Sequence, residues 1–163
     1  MLKYTNTEIV FQEFPDETTL AFNISGCPVH CKGCHSKWLW EDIGTALTIP
    51  NINKEIKLHE GITCIGFMGG DNDRDLLNAI LIILKHEHPE LKLGWYTGLN
   101  NYNQINLNYL DYVKVGPYIK ELGGLNNRNT NQRIYKIIHN NKDNSDINKN
   151  YLVDITERFW NRV

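Results

Sequence analysis

The chain has 163 residues, of which 41% are hydrophobic and 22% charged, with a formal net charge of −2. That length supports one domain with a real core, so a single unit over residues 1–163 is expected. The absence of a basic block argues against nucleic acid as a partner, and no apolar run approaches the roughly 18 residues of a membrane span.

In chain order, Ile9-Val10-Phe11 and Leu20 to Ile24 predict a β-hairpin, turning at Pro15-Asp16-Glu17. The second strand runs straight into Ser25-Gly26-Cys27. Ile62 to Met68 is a short apolar run that ends in Gly69-Gly70-Asp71, the pattern of a buried parallel strand and its loop. A helix follows, with Asp73 as its cap, Leu76, Leu77, Ile80, Leu81, Ile83 and Leu84 as its buried face, and Pro89 as its stop. Leu91 to Thr97, ending at Gly98, and Tyr112 to Val115, stopped by Gly116-Pro117, predict two more strands. Residues 118–163 are less regular: a strand over Arg133 to Ile138, a mobile polar loop over 140–150, and a short helix over Ile155 to Trp160. The alternation of strand and helix predicts an α/β fold of βα units. A closed eight-stranded α/β barrel takes about 250 residues, so this sheet is expected to stop short of closure.

Chemistry concentrates at Cys27-Pro28-Val29-His30-Cys31-Lys32-Gly33-Cys34, a C-x3-C-x2-C loop at a strand's C-terminal end, where α/β proteins build sites. Three close thiolates suit soft iron or zinc. A zinc site would need a fourth ligand, His30 or His35. An iron–sulfur cluster held by three cysteines would keep one iron open. Four cysteines and an opening stretch, Met1 to Asn6, without an apolar signal core predict a reducing, cytoplasmic setting. Gly69-Gly70-Asp71 frees backbone carbonyls beside a carboxylate that can accept from an ammonium group. Tyr96-Thr97-Gly98 offers a hydroxyl and a glycine at a strand end, fitted to a ribose or a carboxylate. Cys64 reads as a small core residue, and His86-Glu87-His88 as a solvated helix end. Trp38 and Trp40, two apart, cannot share a helix face, so one packs and one is exposed.

In this order Gly26-Cys27, Cys31-Lys32-Gly33-Cys34-His35, Trp38, Gly69-Gly70-Asp71, Tyr96-Thr97-Gly98 and Asn131-Gln132-Arg133 span residues 25 to about 135. The set resembles the radical S-adenosylmethionine (SAM) enzymes, and among them the small activating proteins of anaerobic (class III) ribonucleotide reductases. The resemblance implies a partial, incomplete radical SAM βα barrel. It implies a [4Fe-4S] cluster on Cys27, Cys31 and Cys34, whose fourth iron chelates the amino and carboxylate groups of SAM. Gly69, Gly70, Asp71, Thr97, Gly98 and Arg133 are then the expected cofactor-binding residues, with Asp71 on the methionyl ammonium and no catalytic side chain beyond cluster and SAM. The implied substrate is a backbone glycine of the reductase large subunit, and the implied electron donor a flavodoxin or ferredoxin. One departure stands out: relatives often carry Asp-Gly where this chain has Val115-Gly116. Two other functions fit parts of the pattern, a small-molecule radical SAM enzyme like the carboxy-deazaguanine synthases and a non-catalytic zinc-binding module.

Overall fold

The structure, a computed structural model, describes residues 1–140 and 150–160. All but the two ends of the expected polar loop over 140–150 lie outside the described residues. Among the described residues eight strands form one open sheet: β1 (Lys3–Val10), β2 (Thr19–Ile24), β3 (Thr45–Ala46), β4 (Cys64–Met68), β5 (Lys92–Tyr96), β6 (Tyr112–Val115), β7 (Arg133–His139) and β8 (Asn150–Asp154). Their order across the sheet is β3-β1-β2-β4-β5-β6-β7-β8. The centre, β2-β4-β5-β6, is parallel, and both flanks are antiparallel. The described residues contain no helix long and apolar enough to cross a membrane.

Strand alternation divides the side chains between two faces. Ile65 and Phe67 of β4, Leu93 and Trp95 of β5, and Val113 and Val115 of β6 form one core with Leu77, Ile80, Leu81 and Leu84 of helix α2 (Arg74–Glu87). Here the six expected helix residues are corrected by one, since Ile83 is exposed. The alternate positions, Cys64, Tyr112 and Ile134, form a second core with Phe14, which is carried over the sheet by the β1–β2 connection. Phe14 fits because β4 and β5 carry glycines beneath it. A Cβ on Gly66 would come 2.9 Å from its ring and one on Gly94 would come 2.3 Å from it.

Just after Phe14, the buried carboxylate of Glu17 accepts from the Thr63 hydroxyl at 2.6 Å, the Tyr112 hydroxyl at 3.0 Å and the Lys92 ammonium. Burial alone would push the Glu17 carboxyl up. The hydrogen bonds from Lys92, Thr63 and Tyr112 outweigh it and hold the group below the ordinary value. This cluster pins together the N-terminal ends of β4, β5 and β6 and leaves their C-terminal ends for other use.

Helix α1 (Ile49–Leu58) and strands β3 and β8 were not expected from the sequence. The helix is capped by Thr48, whose side chain accepts from the Asn51 amide, and has Pro50 in its first turn. Strand β1 begins six residues earlier than expected, through a largely polar stretch, and β8 starts at the last residue of the expected loop and runs on to Asp154. The predicted terminal helix is a single 3-10 turn at Thr156–Phe159.

Gly94→Ala should lower stability by about 1–3 kcal/mol, because the methyl group must displace the Phe14 ring within a filled core. Urea unfolding should show a lower midpoint at unchanged slope, and a midpoint equal to the parent's would refute the close packing.

Candidate functional site

The cysteine loop leaves β2 through Gly26, whose φ is +74°. It is anchored to the segment that follows it: the Gly26 amide donates to the Glu41 carbonyl at 3.0 Å and the Cys27 amide to the Leu39 carbonyl at 2.9 Å. Inside the loop, the Cys34 amide donates to the Cys31 carbonyl at 3.0 Å, and the Ser36 amide to Cys34 Sγ at 3.3 Å. Trp40 stacks on His30 with centroids 4.6 Å apart, while Trp38 is exposed, so the two tryptophans divide as expected. All three thiols are free and partly buried. Burial pushes the Cys27 thiol up, amides of Val29 and His30 pull it down, and the charges of Asp71 and Cys31 push it up again.

Cys64 stands apart. It is fully buried in the second core, and desolvation pushes its thiol up to about 12, far from a ligating thiolate. Among the described residues no three His, Cys, Asp or Glu side chains converge closely enough to hold a single metal ion. Three thiolates that each take a different iron of one cluster stand wider apart than three on one ion. The donor set of three half-buried thiols, with an amide donating to sulfur, fits such a cluster.

The second element is the loop after β4. Gly69 (φ +115°) and Gly70 (φ +104°) adopt backbone that side-chain-bearing residues rarely reach. They lead to Asp71, whose side chain is 2% exposed. Asp71 Oδ1 accepts from Arg74 Nε at 3.1 Å, Arg74 Nη2 at 3.0 Å and the Thr97 hydroxyl at 2.6 Å, and Oδ2 accepts from the Gly98 amide at 2.9 Å. Arg74 is itself buried and spends its remaining donors on Asn101 Oδ1, the Asn101 and Asn103 carbonyls and the Thr97 hydroxyl. Its guanidinium carbon lies 5.0 Å from the Trp95 ring centroid. The glycine loop and the loop after β5 are thus one hydrogen-bonded body.

Beside the C-terminal ends of β2, β4, β5 and β6 these elements enclose a cavity of about 430 Å3. Its lining includes Cys27, Cys34, Gly69, Asp71, Thr97 and Gly98. Gly98 allows the cysteine loop to close on it, since a Cβ there would lie 2.9 Å from Val29. The expected residues meet here with three changes of detail. The Thr97 hydroxyl donates to Asp71 and accepts from Arg74 and from the Leu99 amide, so it has no capacity left for a ribose. Gly70 does not reach the lining and instead packs toward Leu77. Arg133 does not join the site: its side chain is 40% exposed, with Nε 3.8 Å from Asp154. Its neighbour Gln132, one residue before β7, is buried and lines the cavity instead.

Two polar residues of the lining, Gln132, read from sequence only as part of the Asn131-Gln132-Arg133 segment, and Lys114, were not expected there. Gln132 Nε2 donates to the Gly116 carbonyl at 3.3 Å. Lys114, at the second-core face of β6, is 7% exposed and donates to the same carbonyl at 2.8 Å, with Nζ 5.7 Å from the Tyr96 centroid. Burial pulls its ammonium down to about 8, against the opposing fields of Cys31 and then Asp71. The signal was a lone lysine in the apolar run Tyr112-Val113-Lys114-Val115. Arg74 carried a weaker signal, as a charge next to the cap Asp73.

Arg74→Met should destabilise the fold by about 3–5 kcal/mol, because it strands the Asp71 carboxylate in a buried site. Adding Asp71→Asn should recover part of the loss in urea unfolding. Strictly additive losses would show that the pair does not act as one unit.

No curated protein and no solved structure matches the chain. A sequence-family model described as a 4Fe-4S single cluster domain matches residues 18–138, from just before β2 to the last residue but one of β7. That span takes in the cysteine loop, the glycine loop and every cavity residue named above, and the chain therefore belongs to the 4Fe-4S single cluster domain family.

Proposed function

We propose that this protein is a radical SAM activase that reductively cleaves SAM at a [4Fe-4S] cluster on Cys27, Cys31 and Cys34 and generates the glycyl radical of an anaerobic ribonucleotide reductase. The observation that carries the proposal is the meeting of the cysteine loop, Gly69 and Asp71, and Thr97-Gly98 around one cavity. A volume of about 430 Å3 lies in the range of small-molecule and cofactor sites. Four parallel strands side by side in an open sheet support a partial radical SAM barrel. The cluster would supply the electron for the cleavage, and the protein's work is to bind and orient. In that work the second lone pair of the Gly69 carbonyl, which already accepts from Trp95 Nε1 at 2.9 Å, and the remaining lone pair of Asp71 Oδ2 would accept from the methionyl ammonium, and the Asp71–Arg74 pair holds both loops at a fixed separation. An open site would admit a glycine loop of the large subunit. A flavodoxin or ferredoxin would deliver the electron in the cytoplasm.

Two measurements test this. After anaerobic reconstitution, Cys64→Ala should retain the parent's iron and sulfide content, whereas Cys31→Ala should lose most of its iron. The reverse pattern would overturn the ligand assignment, and zinc without sulfide in the parent would favour a structural metal site. Mixing the reduced protein with SAM and the cognate reductase should then give the electron paramagnetic resonance doublet of a glycyl radical, absent when the reductase's radical glycine is replaced by alanine. SAM cleavage without any protein radical would turn the proposal toward a small-molecule substrate.

A further inference from the structure

Lys114 is a cation in a place that is costly for one. Its side chain rises from the second-core face of β6 into the cavity wall, with backbone pairing to Tyr96 on one side and Ile134 on the other. Of its three N–H donors one is used, on the Gly116 carbonyl. The face of the Tyr96 ring offers a second, weaker attraction at 5.7 Å. Among the described residues it forms no ion pair, although a buried ammonium is ordinarily matched by a carboxylate. The nearby carboxylate, Asp71, is already neutralised by Arg74. The other lysines around the loop, Lys32, Lys37 and Lys120, are exposed and screened by water. Lys114 is therefore the one described lysine of the cavity lining whose field is not damped by solvent, and Cys27 and Cys34 share that lining.

We propose that the Lys114 ammonium is the counter-ion of the iron–sulfur cluster held by Cys27, Cys31 and Cys34, and that it favours the cluster's reduced state. A [4Fe-4S] core in its 2+ state with three thiolates carries one net negative charge, and two after it takes up one electron. The electron comes from a low-potential one-electron donor. No bond forms or breaks, and Lys114 keeps its proton throughout. A fixed positive charge in a water-poor wall stabilises the second negative charge more than the first. The orphaned ammonium would thus find its counter-charge in a cluster on the cysteine loop, two of whose cysteines share its cavity lining. The inference rests on the three-cysteine ligand set and on family membership, and does not depend on SAM or on any reductase.

The test is an anaerobic redox titration of the reconstituted protein without SAM, with dithionite as reductant and the cluster's visible absorption as readout. Lys114→Met keeps the length of the side chain and removes the charge. At the potential where the parent is half reduced, its ratio of reduced to oxidised cluster should fall by about tenfold or more. Lys114→Arg should stay within about threefold of the parent, since the charge is retained. Lys114→Gln, which can still donate to the Gly116 carbonyl, replaces the methionine variant if that one fails to fold, with the same expected loss. A fully loaded neutral variant with the parent's ratio would overturn the proposal. So would a loss confined to SAM affinity at unchanged potential, which would assign the lysine to ligand binding. A parent that takes up no cluster would instead remove the ligand assignment on which the proposal stands, and that outcome is separable by iron and sulfide content alone.

Discussion

The site depends on one buried ion pair. Asp71 and Arg74 are three residues apart, where a helix is just beginning, and each is almost wholly out of water. Such a pair is tolerable only when every remaining donor and acceptor is matched. Here the matching is done by the neighbouring loop: the Thr97 hydroxyl, the Gly98 amide, and the carbonyls of Asn101 and Asn103. The cost of burying two charges is thereby turned into geometry. The loop after β4 and the loop after β5 cannot move independently, and Gly98, fixed at their junction, sets how closely the cysteine loop approaches through Val29.

The sheet prepares this arrangement by keeping its two ends distinct. At the N-terminal ends of the parallel strands, Phe14 and Glu17 close the second face, one by filling space over Gly66 and Gly94 and the other by tying Thr63, Lys92 and Tyr112. At the C-terminal ends the same face continues as Met68, Tyr96, Lys114 and Gln132, which are larger or polar and border the cavity. A two-residue period along each strand thus yields a closed end and a receptive end from one set of positions.

Much of this was legible in the sequence, because the parallel strands announce themselves as short apolar runs ending in glycine. The cysteine loop, Gly69-Gly70-Asp71 and Thr97-Gly98 sit at strand ends as expected, since a strand that stops at a fixed layer delivers its following residues to one edge. What was hidden depended on contacts between distant segments. Nothing around Arg74 reveals that its donors will be consumed by Asn101 and Asn103, 27 and 29 residues away. Arg133 and Gln132 are adjacent, and only the register of β7 against β6 decides which one faces inward. The first six residues of β1 escaped notice because a largely polar stretch carries little apolar signal, and α1 because its apolar face is narrow, with Ile52 its one buried residue.

Phe14 has a consequence beyond packing. Its ring lies edge-on against Tyr96, with centroids 5.3 Å apart, and Tyr96 borders the cavity. The aromatic pair is thus a floor, and its height is set by two residues that have no side chains. A larger residue at position 66 or 94 would lift Phe14 and, through it, Tyr96, raising the floor under any bound molecule. The depth available to a ligand in this protein is therefore governed from the far end of the same sheet face, by residues that do not line the cavity.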